Sequence, residues 1–186
     1  MGQSGGIFIN SYQKKSKRVV VKNHIIKINS DILRNVEEKN WVKTLKDFLK
    51  TKYSKGINVD DVNIKVTSQS RGELLNSSYT QWLKANDSDT YKNKMKMLDG
   101  LEEIYQNQRK QKLEDPNHPR KDGIISFKRG KADIEVGQNS YTADVLTGIR
   151  KNTGELVYDI VNIEKEEISI GETPRNDISS SRNNIS

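Results

Sequence analysis

The apolar residues of the chain fall into short runs whose spacing predicts strands and helices in turn. Residues 18–28 are rich in Val and Ile, which predicts one bent strand or a short hairpin around Lys22 and Asn23. Residues 39–55 carry apolar side chains every three or four positions, which predicts an amphipathic helix that Asn40 and Gly56 would cap. Its apolar stripe consists of Trp41, Leu45, Phe48 and Leu49.

The middle of the chain alternates between patterned and unpatterned segments. Residues 61–67 alternate polar and apolar positions, which predicts a strand with Val62, Ile64 and Val66 on one face. Residues 68–86 are polar and show no clear period, so we expect a long loop there. A second helix is predicted over residues 88–113 from an apolar stripe at helical spacing: Tyr91, Met95, Leu98, Leu101 and Tyr105.

Two prolines, Pro116 and Pro119, end this helical pattern, and the rest reads as an antiparallel meander. The predicted strands are residues 123–128, 131–136, 140–149 and 155–163, the last apolar on both faces and therefore central. Helices come early and strands come late. This order predicts an α+β fold with an N-terminal strand and helices packed on one face of a C-terminal antiparallel β-sheet.

Domain boundaries follow from composition. Residues 18–165 are predicted to form a single domain, preceded by a flexible basic lead-in over residues 1–17 and followed by a disordered polar tail over residues 166–186.

Composition and charge narrow the function classes. The 186 residues carry a formal net charge of +7, which favours an anionic partner such as nucleic acid. With no cysteine and two histidines, disulfides, thiol catalysis and the usual zinc sites are excluded. No apolar run approaches the ~20 residues of a membrane span, so no membrane-spanning segment is expected. We predict neither a cofactor nor a bound metal.

A loop histidine is the first candidate for chemistry. His118 lies between two prolines and is followed by Arg120 and Lys121. An imidazole moves protons near neutral pH, and neighbouring cations attract phosphate. Metal-independent RNA cleavage needs such a set, although a rigid connector with exposed charge explains the same residues.

Other candidates lie in the predicted loop and in the late strands. Ser78 and Tyr79, with Arg71, offer groups that bind phosphate or stack on a base, and a surface loop is the alternative. Tyr141 and Tyr158 present phenols, while Asp159 is a carboxylate in the middle of a strand and needs a partner. Phosphate-binding Gly-rich loops, Gly-x-Ser-x-Gly and His-Glu-x-x-His are absent from the sequence.

A family resemblance rests on residues 117–131 (NHPRKDGIISFKRGK), 141–148 (YTADVLTG) and 157–163 (VYDIVNI). Together they resemble C-terminal modules of phage MuF-type head proteins, polyvalent proteins of mobile elements and polymorphic toxins. Those modules are similar to the barnase, EndoU, colicin and RelE-like nuclease superfamily. The resemblance implies metal-independent RNA cleavage with His118, Tyr158 and Asp159 as site residues. Tyr141 matches a polar position of the late strands in the same way, and the resemblance implies, less directly, roles for Ser78, Tyr79 and a helix-borne base, Lys94.

These observations lead to one functional hypothesis and two alternatives. The leading hypothesis is a toxin-like endoribonuclease acting in the cytoplasm on an RNA such as tRNA, blocked by an acidic immunity protein and delivered by phage or secretion within a larger parent protein. One alternative is a non-catalytic accessory or binding module of a mobile genetic element. The other is ADP-ribosyl transfer from NAD, for which Glu135 and Glu155 are available without a convincing set of partners.

Overall fold

The computed structural model of the chain describes residues 24–116 and 122–166. Several sequence predictions lie outside these ranges: the lead-in over residues 1–17, the first part of the N-terminal strand, and the tail beyond residue 166. The predicted site residues His118, Arg120 and Lys121 also lie outside the described residues.

The helices come early and the long strands late. After strand β1 (Ile25–Ile28), a 3-10 turn (Glu38–Asn40) leads into α1 (Trp41–Lys52), which a small hairpin follows: β2 (Ile57–Val59) and β3 (Val62–Ile64). Next come the remaining helices: α2 (Ser68–Asn76), α3 (Ser78–Asn86), α4 (Ser88–Met97), a 3-10 turn (Leu98–Gly100) and α5 (Leu101–Asn107). Four strands follow within the described residues: β4 (Arg109–Glu114), β5 (Ile124–Val136), β6 (Asn139–Arg150) and β7 (Gly154–Lys165).

The main sheet of the described residues has five strands in the order β1-β5-β6-β7, with β4 also paired to β5. Strands β1 and β4 lie end to end along β5, since β1 pairs with Asp133–Val136 and β4 with residues 127–131. Strand β1 runs parallel to β5, while β4, β6 and β7 pair antiparallel. The predicted α+β class is thus confirmed, with a mixed sheet in place of a wholly antiparallel one.

All helices contribute to one hydrophobic core on one face of this sheet. The buried helix residues include Leu45 and Leu49 of α1, Leu74 of α2, Met95 of α4 and Ile104 of α5. On the sheet, the core residues come from alternate positions of β1, β5 and β6, and from every third position of the bulged strand β7: Ile26, Ile28, Ala132, Ile134, Val136, Tyr141, Ala143, Val145, Val157, Ile160 and Ile163. The side chains between them point to the opposite face, which we call the open face.

The predicted loop over residues 68–86 was wrong, because this segment forms α2 and α3. Three short helices follow one another, each capped by a side chain that accepts from the backbone N–H three residues on: Thr67 from Ser70 (3.1 Å), Ser77 from Thr80 (3.2 Å) and Asp87 from Thr90 (3.0 Å). Such caps contribute about 1 kcal/mol each. Helices α2 and α3 are too short and too polar to show a clear hydrophobic period.

The predicted helix over residues 88–113 was too long. A 3-10 turn interrupts it at Leu98–Gly100, and residues 109–114 form strand β4, whose pairing with β5 overrides its weak local preference. The two strands predicted at 123–128 and 131–136 are one strand, β5. Gly130 lies within this strand at a point where a Cβ would clash with the Gln108 side chain.

The last strand, β7, was predicted to be central and instead ends the strand order. Its outer edge is covered in part by other elements, which explains its apolar faces. The backbone of Lys65 accepts from Val157 N and donates to Glu155 O, both at 2.9 Å. Farther along β7, Ile163 N donates to the phenol oxygen of Tyr79 at 2.8 Å.

Candidate functional site

Lys94, the predicted helix-borne base, lies in the interior between α3, α4 and β7. Its side chain has no exposed surface, and its ammonium group donates to Oδ1 of Asp159 at 2.7 Å and to Thr80 Oγ1 at 2.6 Å. Burial lowers the pKa of Lys94, and the Asp159 carboxylate offsets this only in part. A lysine in this position is not available to a solvent-borne substrate.

Asp159 completes this buried network. Its Oδ2 accepts from Ser77 Oγ at 2.7 Å, and its Oδ1 also accepts from Ile160 N at 2.8 Å. Ser77 and Thr80 hydroxyls lie 2.9 Å apart at the first turn of α3. The network therefore joins two helices to β7. Lys94 and Asp159, which were predicted to be catalytic, form the ion pair at the centre of this junction.

Tyr79 lies beside the network and also contacts β7. Its ring centroid is 5.3 Å from Lys94 Nζ, and its hydroxyl accepts the Ile163 N–H on the edge of β7. Burial raises the pKa of Tyr79. The predicted neighbour Ser78 is exposed and makes no cap, since Ser77 takes that role.

Two further residues that were predicted to bind RNA make hydrogen bonds within the protein. Tyr141 is 1% exposed, and its hydroxyl accepts from Asn93 Nδ2 at 2.7 Å. Arg71 is half-buried, and its Nη1 donates to the Val66 carbonyl at 3.1 Å. Tyr141 is thus a core residue, and its predicted part in RNA binding stays a prediction.

The open face of the sheet carries the charges that the core excludes. Strand register places Lys131 opposite Asp144, Asp133 opposite Thr142 and Arg129 opposite Leu146. Because side chains alternate along each strand, these residues point away from the helices. They contact one another rather than the core.

Asp144 lies at the centre of this face in β6. Its Oδ2 accepts from Arg129 Nη1 at 3.0 Å and from Asn162 Nδ2 at 2.8 Å, and its Oδ1 lies 3.1 Å from Lys131 Nζ. Arg129 also contacts Glu114 across β4, with 2.9 Å between Nε and Oε2. We call Asp144, Arg129, Lys131 and Asn162 the Asp144 cluster.

The protonation of Asp144 reflects these contacts. Burial raises its pKa, but hydrogen bonds from Asn162 and Lys131, the Lys131 charge and the bond from Arg129 outweigh this, and the pKa is lowered. The carboxylate is therefore ionised at neutral pH. Lys131 is half-exposed, at 54% of its side chain, so the cluster reaches solvent.

A second carboxylate lies one step along the same face. Asp133 Oδ1 accepts from Arg109 Nη2 at 2.9 Å and from Thr142 Oγ1 at 3.2 Å. Cations and carboxylates thus alternate over the open face. Its charge is mixed and not uniformly basic.

An aromatic pair borders the Asp144 cluster. Tyr158 is the extra residue of a β-bulge, since Val157 pairs with Thr147 while Asp159 pairs with Leu146. Its ring packs edge-on against Phe127, with centroids 4.8 Å apart and planes at 69°. Both rings are partly exposed. Tyr158 is thus the predicted catalytic residue that the structure places beside the open face.

The sequence contained a signal for this site that went unused. Arg129, Lys131 and Asp133 alternate in β5, and Thr142 and Asp144 alternate in β6, which is the pattern of a polar sheet face. The predicted break at Gly130 hid this alternating pattern, because the break placed Arg129 in a turn between two strands. Asn162 could not be assigned to this face from the sequence, because its position depends on the pairing register of β6 and β7.

A family model describes the region that contains most of these residues. The model of the large polyvalent protein-associated domain 3 matches residues 36–158. The chain belongs to the large polyvalent protein-associated domain 3 family. This confirms the part of the sequence resemblance that concerns polyvalent proteins, while the nuclease-like part stays a prediction. The match covers α1 to α5 and the strands that carry Asp144, Arg129 and Lys131.

Other comparisons add no relative: no curated protein and no solved structure matches the chain. None of the helices within residues 24–116 and 122–166 has the length and hydropathy needed to cross a membrane. In the same ranges, no group of three or more His, Asp or Glu side chains is arranged to hold a metal ion.

Proposed function

We propose that this domain of the polyvalent-protein family is an endoribonuclease whose substrate lies on the open face of the sheet, with Asp144 as the general base. The observation that carries the proposal is the Asp144 cluster: a carboxylate held between a guanidinium and an ammonium group, at distances of 3.0 and 3.1 Å, on the sheet face opposite the helices. Metal-independent cleavage of RNA needs a base, an acid and cations that stabilise the charge on the phosphate, and the cluster offers the base and the cations.

The proposed step is an internal transfer at phosphorus. Asp144 takes the proton of the ribose 2′-OH, the 2′ oxygen attacks phosphorus, and the bond from phosphorus to the 5′ oxygen breaks. The products are a 2′,3′-cyclic phosphate and a 5′-hydroxyl, whose oxygen takes a proton from an acid. The sequence-based prediction gives His118 the role of acid or base, and His118 lies outside the described residues.

Arg129 and Lys131 would hold the phosphate and the negative charge that develops on it. Charge-assisted bonds from Arg and Lys to phosphate oxygens are strong and directional. A phosphate bound there would draw both cations away from Asp144. The carboxylate pKa would then rise from its lowered value, which makes Asp144 a stronger base once the substrate is bound.

Chain cleavage and the chemical nature of the ends test this proposal. The protein is incubated in excess chelator with a DNA oligonucleotide that contains one ribonucleotide, and with an all-DNA control. We expect cleavage only after the ribonucleotide and a 2′,3′-cyclic phosphate end. An intact ribonucleotide substrate, or cleavage of the all-DNA control, would contradict the proposal.

A non-catalytic binding module is the second candidate function. The observation that favours it is the pairing of Arg129 and Lys131 with carboxylates, which leaves the open face with little surplus positive charge. Induced expression separates the two candidates. A ribonuclease arrests growth and Asp144→Asn relieves the arrest, whereas a binding module is tolerated in both forms.

A further inference from the structure

The aromatic pair Phe127 and Tyr158 stands where a nucleobase would follow a phosphate bound at the Asp144 cluster. Tyr158 directly precedes Asp159, which pairs with Leu146, two residues along β6 from Asp144. Two residues of a strand span about 7 Å. A nucleotide spans a similar distance from its phosphate to its base.

Three buried apolar residues near the pair in the strand register belong to the open face and not to the main core. Ile124, Leu146 and Leu156 are 3%, 8% and 2% exposed and are separate from the helix-side core. Gly148, opposite Phe127, has no side chain between the two rings, and Ile124 and Leu156 both approach it. An aromatic platform beside such buried residues loses little conformational freedom when a base stacks on it.

The bulge in β7 explains how Tyr158 reaches this face. Val157 on one side of it and Ile160 on the other both belong to the helix-side core. The extra residue lets Tyr158 turn outward while Asp159 turns toward Lys94. Bulges commonly redirect one side chain next to a functional site.

We propose that Phe127 and Tyr158 form a base-stacking subsite for single-stranded RNA, next to the phosphate bound at the Asp144 cluster. This inference rests on the proposed function, since it places the base relative to the scissile phosphate. Stacking uses the ring of Tyr158 and not its hydroxyl. The base can therefore be of any kind, because every base has a π-face.

Binding of two probes that are not cleaved tests the subsite separately from catalysis. One probe is a hexamer of 2′-O-methyluridine, and the other has the same sugar-phosphate backbone without bases. Affinities are measured for the wild-type protein and for the variants Phe127→Leu, Tyr158→Leu and Tyr158→Phe. Thermal unfolding and circular dichroism establish that each variant is folded.

We expect Phe127→Leu and Tyr158→Leu to weaken binding of the base-carrying hexamer about tenfold, in keeping with stacking on one base. The same variants should bind the baseless probe as the wild type does, and Tyr158→Phe should retain full affinity for the hexamer. Equal binding of both probes by the wild type overturns the subsite, as does an equal loss in Tyr158→Phe and Tyr158→Leu. Absence of any binding also overturns it.

The outcomes separate this inference from the proposed function. If the hexamer binds through the rings but RNA is never cleaved, the subsite stands and the nuclease proposal fails. If RNA is cleaved in an Asp144-dependent way while the ring variants bind normally, the nuclease proposal stands and the subsite fails.

Discussion

The ammonium group of Lys94 lies 2.7 Å from a carboxylate oxygen of Asp159, and the two side chains are 0% and 2% exposed. Asp159 directly follows Tyr158, the extra residue of the bulge in β7. The buried pair therefore holds β7 in the conformation that turns Tyr158 toward the open face. Lys94 and Asp159 are positioning residues in this account.

Removing one member of this pair should destabilise the protein strongly. Lys94→Met leaves the Asp159 carboxylate buried without its cation, and breaking such pairs costs about 3–5 kcal/mol. The double variant Lys94→Met, Asp159→Leu leaves no buried charge, so its loss should be smaller than the sum of the single losses. Urea unfolding measures all three. Strictly additive losses, or a single loss below about 1 kcal/mol, would be inconsistent with a coupled pair.

Tyr79→Phe should loosen the edge of β7 at one point. The substitution removes the acceptor of the Ile163 N–H, and leaving a half-buried donor unpaired costs about 1–3 kcal/mol. Amide hydrogen exchange should speed up at Ile163. Val157, whose N–H donates to the Lys65 carbonyl, serves as the internal control and should not change. Unchanged exchange at Ile163 would show that the phenol does not protect this edge.

The lowered pKa of Asp144 predicts a specific dependence of stability on pH. Its folded pKa lies below the unfolded value of about 3.9, so its contribution is complete above that pH and is lost as the pH falls through the folded pKa. The Asp144→Asn variant lacks this contribution. Its free energy of unfolding should fall less steeply than that of the wild type between about pH 4 and pH 2.

Urea midpoints across pH 2–6 measure this dependence, with Asp47→Asn, an exposed position on α1, as the control for losing one carboxylate. Parallel curves for the wild type and Asp144→Asn would contradict the assigned contacts of Asp144.

Gly56→Ala should destabilise the turn between α1 and β2. Gly56 has φ of +81°, and a Cβ there would lie 2.8 Å from the Ile64 carbonyl oxygen and 2.6 Å from Asn63 Oδ1. We expect a loss of about 1–3 kcal/mol in the free energy of unfolding, because strain and a backbone clash act together. Gly72→Ala is the matched control, since a Cβ at Gly72 meets no atom within 4 Å and lies in a helix. Equal stability of Gly56→Ala and the wild type would argue against this turn conformation.

The sequence supplied the fold class because its strongest patterns are local. The stripe from Trp41 to Leu49 and the alternation in β6 identify a helix and a strand without any knowledge of their partners. The capped helices α2 and α3 were visible only through their capping residues, Thr67 and Ser77, a signal carried by hydroxyl groups and not by hydrophobicity.

The candidate site was harder to predict because it depends on register. Lys94 and Asp159 are 65 residues apart, and only their packing shows that they neutralise each other. Asp144 was one of several scattered acids until strand pairing placed it between Arg129, Lys131 and Asn162. A bulge added one residue to β7 and reversed the direction of Tyr158, and no periodicity foretells such an insertion.

Cleavage of single-stranded RNA by the wild type, Asp144→Asn and Asp133→Asn tests the central claim most directly. Both variants lose one carboxylate from the open face, and both aspartates contact an arginine, but Asp133 has no role in the proposed step. We predict that Asp144→Asn lowers the cleavage rate at least about 100-fold in chelator, whereas Asp133→Asn stays within about threefold of the wild type. Equal rates for the wild type and a folded Asp144→Asn variant would contradict the account.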